Sequence, residues 1–218
     1  MTRGIDPSLI PSAPDLEYEQ GLWQAGFKYI TGIDEAGRGA LAGPVAAGAL
    51  ILPANTAIAR NLGCVRDSKQ MTPTAREACR EHILQVALAW AVGLASAQEI
   101  DELGILPATR LAARRALQAL ACQADHLLLD FLLLPELSIP QTALIKGDCR
   151  SISIAGASIL AKTERDALMR EFEVAHPGYG FARHKGYGTA VHRAAIQRLG
   201  LCAIHRRTFR FKEIETRR

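Results

Sequence analysis

The sequence predicts an α/β domain, a mixed β-sheet flanked by helices, with a helical C-terminal extension. Three observations carry that reading. Short apolar runs alternate with longer helix-forming stretches, the order that builds strands and helices into one domain. Capping signals at Thr72-Pro73, at Ser96 with Glu99, and at Thr189 mark helix starts at separate points of the chain. A loop with four glycines, residues 178–188, then sets the closing helix apart from the body.

Taken in order, residues 1–14 hold three prolines and little periodicity, and are expected to form a disordered leader. Residues 27–33 and 44–52 read as strands joined by a glycine-rich connection. Thr72 supplies an N-cap and Pro73 the first helical position of a helix through about residue 88. Residues 90–95 are apolar and bounded by small residues, as in a buried strand. The Ser96/Glu99 capping box opens a short helix, and the Ala/Leu/Arg-rich residues 106–122 a longer one. Residues 126–130 and 143–146 read as short strands. A helix over about 153–174 begins with Ala155-Gly156-Ala157, small enough for close approach to other backbone. Thr189 caps a last helix to about residue 199. The division expected is a leader over 1–14, a body over 15–175, and a basic helical segment and tail over 176–218 packed on that body.

At 218 residues the chain suits one domain, and 49% apolar residues are enough to fill its core. The greasiest run, residues 127–134, is interrupted by Asp130, so no membrane span is expected. No signal pattern argues for export. Five separated cysteines with no Cys-x-x-Cys pair exclude a zinc site and a disulfide framework. Reduced thiols in a cytoplasmic protein are expected instead. From Tyr179 onward ten Lys/Arg face two acidic residues, a net +8 within a total of +4. That asymmetry suits a polyanion partner, with a solvated basic tail as the alternative.

Candidate chemistry starts at Ile33-Asp34-Glu35-Ala36-Gly37-Arg38-Gly39. Successive strand residues face opposite ways, so Asp34 and Glu35 converge only if the strand breaks there, and Gly37 and Gly39 allow the break. Asp130 ends an apolar run, where a carboxylate is costly unless a metal or a cation holds it. Asp148 follows a second strand, with helix capping as its plainer use. Four such carboxylates on one sheet edge would suit Mg²⁺ or Mn²⁺. Two ions about 4 Å apart can bind a scissile phosphate, activate a water and stabilise the leaving oxygen. Gly32 and Gly37-Arg38-Gly39 have the glycine spacing of a nucleotide-binding loop but lack its Lys-Ser/Thr ending, which excludes that use. Close approach to a nucleic-acid strand fits better, with peptide groups meeting a 2′-hydroxyl and Arg38 a phosphate. His184-Lys185-Gly186-Tyr187 joins cations to a ring that can stack on a sugar or base, or forms a plain surface loop. Lys69, in Asp67-Ser68-Lys69, either contacts phosphate or shapes a turn. Cys149 has no local group to activate it as a nucleophile.

These residues resemble a known family. The segment from Ile33 to Gly39, followed by Leu41-Ala42-Gly43-Pro44-Val45, is similar to the signature of the type 2 ribonuclease H family, the bacterial-type ribonuclease HII. Further blocks match in family order: Asp67-Ser68-Lys69, Lys146-Gly147-Asp148, Ser153 to Ser158 with Lys162, Arg165-Asp166, His184 to Tyr187, and His205-Arg206. They span about residues 28–209. The resemblance implies a ribonuclease H-like fold, with 15–175 as the catalytic domain. It implies a metal site of Asp34, Glu35, Asp130 and Asp148. It further implies that Gly37, Arg38 and Gly39 sense the 2′-hydroxyl at an RNA–DNA junction, while Tyr187 stacks on the next deoxyribose. Lys69 and Lys185 are the expected phosphate contacts. The implied activity is hydrolysis 5′ of a ribonucleotide, on RNA–DNA hybrids and on duplex DNA with embedded ribonucleotides, by a monomer. Phe131 departs from the family's glycine at the turn that presents Asp130. An RNA–DNA hybrid-binding protein with weakened catalysis, and a metal nuclease without ribose selectivity, are the alternatives.

Overall fold

The computed structural model describes residues 11–209. In chain order it contains α1 (Glu17–Gln24), β1 (Ile30–Ala36), β2 (Val45–Ile51), α2 (Ile58–Asn61), α3 (Pro73–Val86), β3 (Ala89–Ala95), α4 (Ala97–Leu103), α5 (Ile105–Ala119), β4 (His126–Asp130), β5 (Gln141–Leu144), α6 (Ile152–Ala175), α7 (Phe181–His184) and α8 (Ala190–Leu199). The strands form one mixed sheet in the order β3-β2-β1-β4-β5. β1, β2 and β3 pair antiparallel, while β4 and β5 add on in parallel. The expected α/β class and mixed sheet are present.

The caps act as their residue types require. Thr72 Oγ1 accepts from Ala75 N–H, Ser96 and Glu99 close a reciprocal capping box, and Thr189 Oγ1 accepts from His192 N–H. Each ties up a backbone donor that the first helical turn leaves free.

Two glycines decide how close the longest helix comes. A Cβ at Gly32 would collide with the backbone of Ser153, and one at Gly48 with the carbonyl of Ala157. α6 therefore rests backbone to backbone on β1 and β2, its small residues Ala155 and Ala157 fully buried. α5 covers the other face with Ala108, Ala112, Ala113 and Ala116 against Ile33, Val45, Ala47 and Leu129. A separate apolar cluster joins Leu41 and Ala42 to Met169 of α6 and to Tyr179, Phe181, Ala195 and Ile196. The C-terminal segment thus packs on the body through the connection between β1 and β2.

Several expectations need correction. β1 runs on through Asp34, Glu35 and Ala36, which pair with Gly48, Ala47 and Ala46, so the strand does not break at the acid pair. The loop over 178–188 encloses the short α7. Two helices had no strong periodic signal, α1 and α2. α1 is held by a contact remote in sequence: buried Glu19 accepts from Ser151 Oγ at 2.6 Å and Ser153 N–H at 2.9 Å. Burial raises the Glu19 pKa. Of the leader, residues 1–10 lie outside the described residues, and 11–14 carry no helix or strand.

The expectation of reduced thiols fails for one pair. Cys64 and Cys79 form a disulfide, with Cα atoms 5.8 Å apart; Cys122, Cys149 and Cys202 are free. Fifteen residues separate the pair, and α3 folds back so that Cys79 meets the loop ahead of it. Closing a loop of that size restricts the unfolded chain by about 3 kcal/mol. Adding a reductant should therefore lower the melting temperature by roughly 6–12 °C. Cys64→Ala should melt at the same temperature with and without reductant. A wild-type melt indifferent to reductant would contradict the bond's contribution.

Candidate active site

Three carboxylates meet at one edge of the sheet. β1 and β4 run in parallel with Ile33 beside Leu129. The next residues, Asp34 and Asp130, therefore lie side by side and face the α6 side of the sheet. Asp148 comes from a 3₁₀ turn, Gly147–Cys149, between β5 and α6. Asp34, Asp130 and Asp148 bring carboxylate oxygens within 4.8 Å of one another. Asp130 Oδ1 accepts from Gly147 N–H at 2.8 Å, which fastens the end of β4 to the turn carrying Asp148. Asp148 is not a helix cap: Ser151 caps α6, its hydroxyl accepting from Ile154 N–H.

Phe131 has φ 61°, the left-handed region where a side chain is strained and glycine is free. Its N–H still bonds the carbonyls of Leu129 and Leu144, each at 3.1 Å, and its ring is 72% exposed. The backbone takes the turn that glycine would take, so Asp130 reaches the cluster with phenylalanine beside it.

The cluster's electrostatics are unfavourable without a cation. Asp34 is only 3% exposed, and among the described residues its Oδ2 has no hydrogen-bond partner. Burial, followed by the charges of Glu35 and Asp130, raises its pKa well above the ordinary aspartate value. Asp130 is also raised, chiefly by burial, with the Gly147 N–H opposing. Lys69 Nζ stands 3.4 Å from Asp148 Oδ2. Burial would depress that ammonium, but Asp34, Asp148 and Asp67 outweigh it and raise its pKa. A buried carboxylate oxygen with no donor, beside two more carboxylates, is the donor set a hard divalent cation takes. Asp34, Asp130 and Asp148 could hold one.

Glu35 stands outside that triangle. It shares the cleft wall, but its Oε1 accepts from Arg38 Nη1 at 3.1 Å. The cause is the two-residue period of an unbroken strand, which turns neighbouring side chains apart. A cleft of about 590 Å³ opens over the cluster, walled by Gly37, Arg38, Gly39, Lys69 and Tyr187. A Cβ at Gly39 would meet nothing, so the backbone there is open to a ligand. Tyr187 is 37% exposed, with Lys162 Nζ 5.7 Å and the Arg165 guanidinium carbon 5.5 Å from its ring centre. Lys185 is not drawn into the cleft: its ammonium is directed at the Ala182 carbonyl.

Other residues at the site gave no signal in the sequence beyond their place in matching blocks, and Arg76 not even that. Ser158 Oγ and Ser68 Oγ are 2.9 Å apart. Arg76 donates to the carbonyls of Ser68 and Met71, each at 3.0 Å, and pairs with Asp166 at 3.3 Å. Lys162, pointing into the cleft wall, pairs with Asp166 at 2.6 Å. Arg165 and Arg206 are buried and bond backbone carbonyls. Burial, then the charge of Arg165, pulls Arg206 down to about 9, so it stays cationic at neutral pH. Cys149 is pushed up to about 11 by burial and by Asp148, which removes the thiol as a nucleophile.

The family model described as ribonuclease HII matches residues 31–212. A ribonuclease HII of Dehalococcoides mccartyi (strain 195) is 50% identical over 196 residues, covering 90% of this chain and 92% of that protein. One from Syntrophotalea carbinolica is 52% identical over 195 residues, covering 89% and 91%. Among solved structures, the ribonuclease H2 of Pyrococcus horikoshii superposes with TM-score 0.68 at 25% identity, covering 83% of this chain and 93% of that one. The Archaeoglobus fulgidus ribonuclease HII, solved in complex with PCNA, gives TM-score 0.70 at 22% identity, covering 86% and 98%, a likeness of fold.

The raised Asp34 pKa has a measurable sign. Below the unfolded value, near 3.8, both states hold the proton and the full stability is present. As pH rises toward the folded value, the unfolded chain gives up its proton first, and stability is lost across that window. Asp34→Asn removes the ionisable group. In thermal melts with EDTA the variant should melt above the wild type at neutral pH, with the difference closing toward about pH 4. Equal differences at both pH values would contradict the raised pKa.

Proposed function

The chain belongs to the ribonuclease HII family and is a ribonuclease H; from that premise we propose that it is a divalent-metal-dependent endoribonuclease cutting 5′ of ribonucleotides in RNA–DNA hybrids and in duplex DNA. The observation that carries this reading is the partnerless Asp34 Oδ2 in a three-carboxylate cluster, on the floor of a cleft with an open Gly37-Arg38-Gly39 wall.

Asp34, Asp130 and Asp148 would hold Mg²⁺ or Mn²⁺, with Glu35 joining if its pair with Arg38 opens. Ions bound there would activate water and neutralise the charge on the leaving 3′-oxygen. The chain's own residues do the rest. Through ions held there the cluster would bring the scissile phosphate to the sheet edge, and Lys69 adds a positive charge on its flank. The peptide groups of residues 37–39, with no side chain in the way at Gly39, can approach a 2′-hydroxyl closely, as deoxyribose offers none. The Tyr187 ring supplies a platform for the neighbouring deoxyribose. Water adds to phosphorus and the bond to the preceding 3′-oxygen breaks, leaving a 3′-hydroxyl and a 5′-phosphate on the ribonucleotide.

Phe131 was the feature favouring a hybrid-binding protein with weak catalysis. Asp130 reaches the cluster with Phe131 in place, which supports a catalytic site over that reading. Among the described residues no helix is long and apolar enough to cross a membrane. The proposed setting is cytoplasmic.

A labelled duplex carrying one ribonucleotide tests the proposal. With Mg²⁺ or Mn²⁺, cleavage should occur only at the ribonucleotide, and EDTA should abolish it. Asp34→Asn should lose more than the roughly 10–100-fold that removing an outer partner of a metal ligand costs. Cutting of an all-DNA duplex, or wild-type rates in the variant, would contradict it.

A further inference from the structure

Two parts of the cleft wall come from distant segments: Gly37-Arg38-Gly39 follows β1, and Tyr187 precedes α8. Both are tied to the adjacent residues His205 and Arg206. The two walls also touch directly, through an Ala40–Tyr187 bridge and the Leu41 N–H donating to Gly186 O at 2.8 Å. We infer that the His205-Arg206 dipeptide braces this junction from behind and is a positioning element for the spacing between the Gly37-Arg38-Gly39 backbone and the Tyr187 ring. This goes beyond the proposed function and rests on it for the roles of those two walls.

Arg206 serves the first. Its guanidinium is buried, and among the described residues it forms no ion pair. It donates instead to four carbonyls: Gly37 at 2.7 Å, Arg38 at 2.8 Å, Gly43 at 3.0 Å and Pro44 at 3.1 Å. The peptide plane puts C=O and N–H on opposite sides. Holding the carbonyls of residues 37 and 38 inward therefore turns the N–H groups of Arg38 and Gly39 away from Arg206. A full positive charge answered by carbonyl dipoles and the Phe209 ring, 5.0 Å from the guanidinium carbon, with no carboxylate, is an expensive arrangement. It persists here because one rigid fork can hold both ends of the 37–44 segment at once.

His205 serves the second. Cys202 N–H donates to His205 Nδ1 at 2.9 Å, which leaves the His205 proton on Nε2. That nitrogen lies 3.1 Å from His192 Nε2, and His192 Nδ1 lies 3.0 Å from the Tyr187 carbonyl. One assignment of protons satisfies all three contacts: His205 donates to His192, and His192 donates to Tyr187, both rings neutral. Burial pushes His192 down to about 4, consistent with neutrality. The dipeptide itself is pinned to the connection that follows Gly39. Arg206 N–H donates to Leu41 O at 2.9 Å, Gly43 N–H donates to Ile204 O at 2.8 Å, and Ala42 bridges His205.

Arg206→Lys keeps the charge but cannot span four carbonyls. It should raise KM for the single-ribonucleotide duplex about tenfold, leave kcat within about threefold, and leave Mn²⁺ affinity of the metal site unchanged. In a Tyr187→Ala background the same substitution should raise KM less than about twofold, because the substrate can follow a displaced single wall but not two walls displaced relative to each other. His205→Asn keeps an acceptor for Cys202 N–H but is too short to reach His192. It should repeat the pattern and answers the question alone if Arg206→Lys does not fold. Tenfold effects in both backgrounds, or falling kcat with unchanged KM, would overturn the inference while leaving the function standing. If Tyr187→Ala itself leaves KM unchanged, the stacking role fails and this inference fails with it.

Discussion

Asp34, Asp130 and Asp148 crowd oxygens within 4.8 Å of one another at a largely buried place, and like charges so placed repel strongly where water is excluded. Holding them there is the constraint on which the neighbouring structure depends. Parallel pairing of β1 and β4 fixes two of them in register. The Gly147 N–H fastens the third to that edge, and α6 closes the side by lying directly on Gly32 and Gly48. Lys69 faces the group across 3.4 Å, and among the described residues Asp34 Oδ2 has no donor. Among the described residues the cluster is short of positive charge, and its oxygens are a donor set that suits a hard divalent cation.

A second arrangement works with the opposite sign. Arg165 and Arg206 are buried without carboxylates and answered by carbonyl groups of the 37–44 connection and of Lys185. Acids concentrate on the floor of the cleft, while buried cations shape its wall from behind. The two sets do not pair with each other among the described residues, so the floor keeps its negative charge and the wall keeps its backbone groups exposed to the cleft. The short apolar cluster around Phe181 and Ile196 supports that wall, which gives the C-terminal segment a part in the site beyond its basic charge.

Much of this was legible in the sequence where local physics decides. The caps at Thr72, Ser96 and Thr189 mark real helix starts, and the run from His126 to Asp130 is a strand with those bounds. Asp34 and Asp130 stood out at the ends of apolar strands, and Asp148 just past another strand. Glu35 was harder, since whether it joins Asp34 depends on where β1 ends, and pairing with β2 carries the strand through Ala36. Partners remote in sequence gave no signal at all. Cys64 and Cys79 have no spacing that announces a bond, Glu19 looks like a surface acid until Ser151 covers it, and Arg206 reads as tail charge. The glycine missing after Asp130 suggested a changed turn, yet Phe131 adopts the left-handed backbone itself.

The central claim is that the sheet-edge carboxylates are the metal site. A crystal soaked in Mn²⁺ and measured at the manganese absorption edge would locate bound ions without reference to activity. The account predicts anomalous density among Asp34, Asp130 and Asp148. Density confined to Asp67, Asp148 and Cys149, the other group of ligand atoms within 4.8 Å of one another, or none at either place, would contradict it.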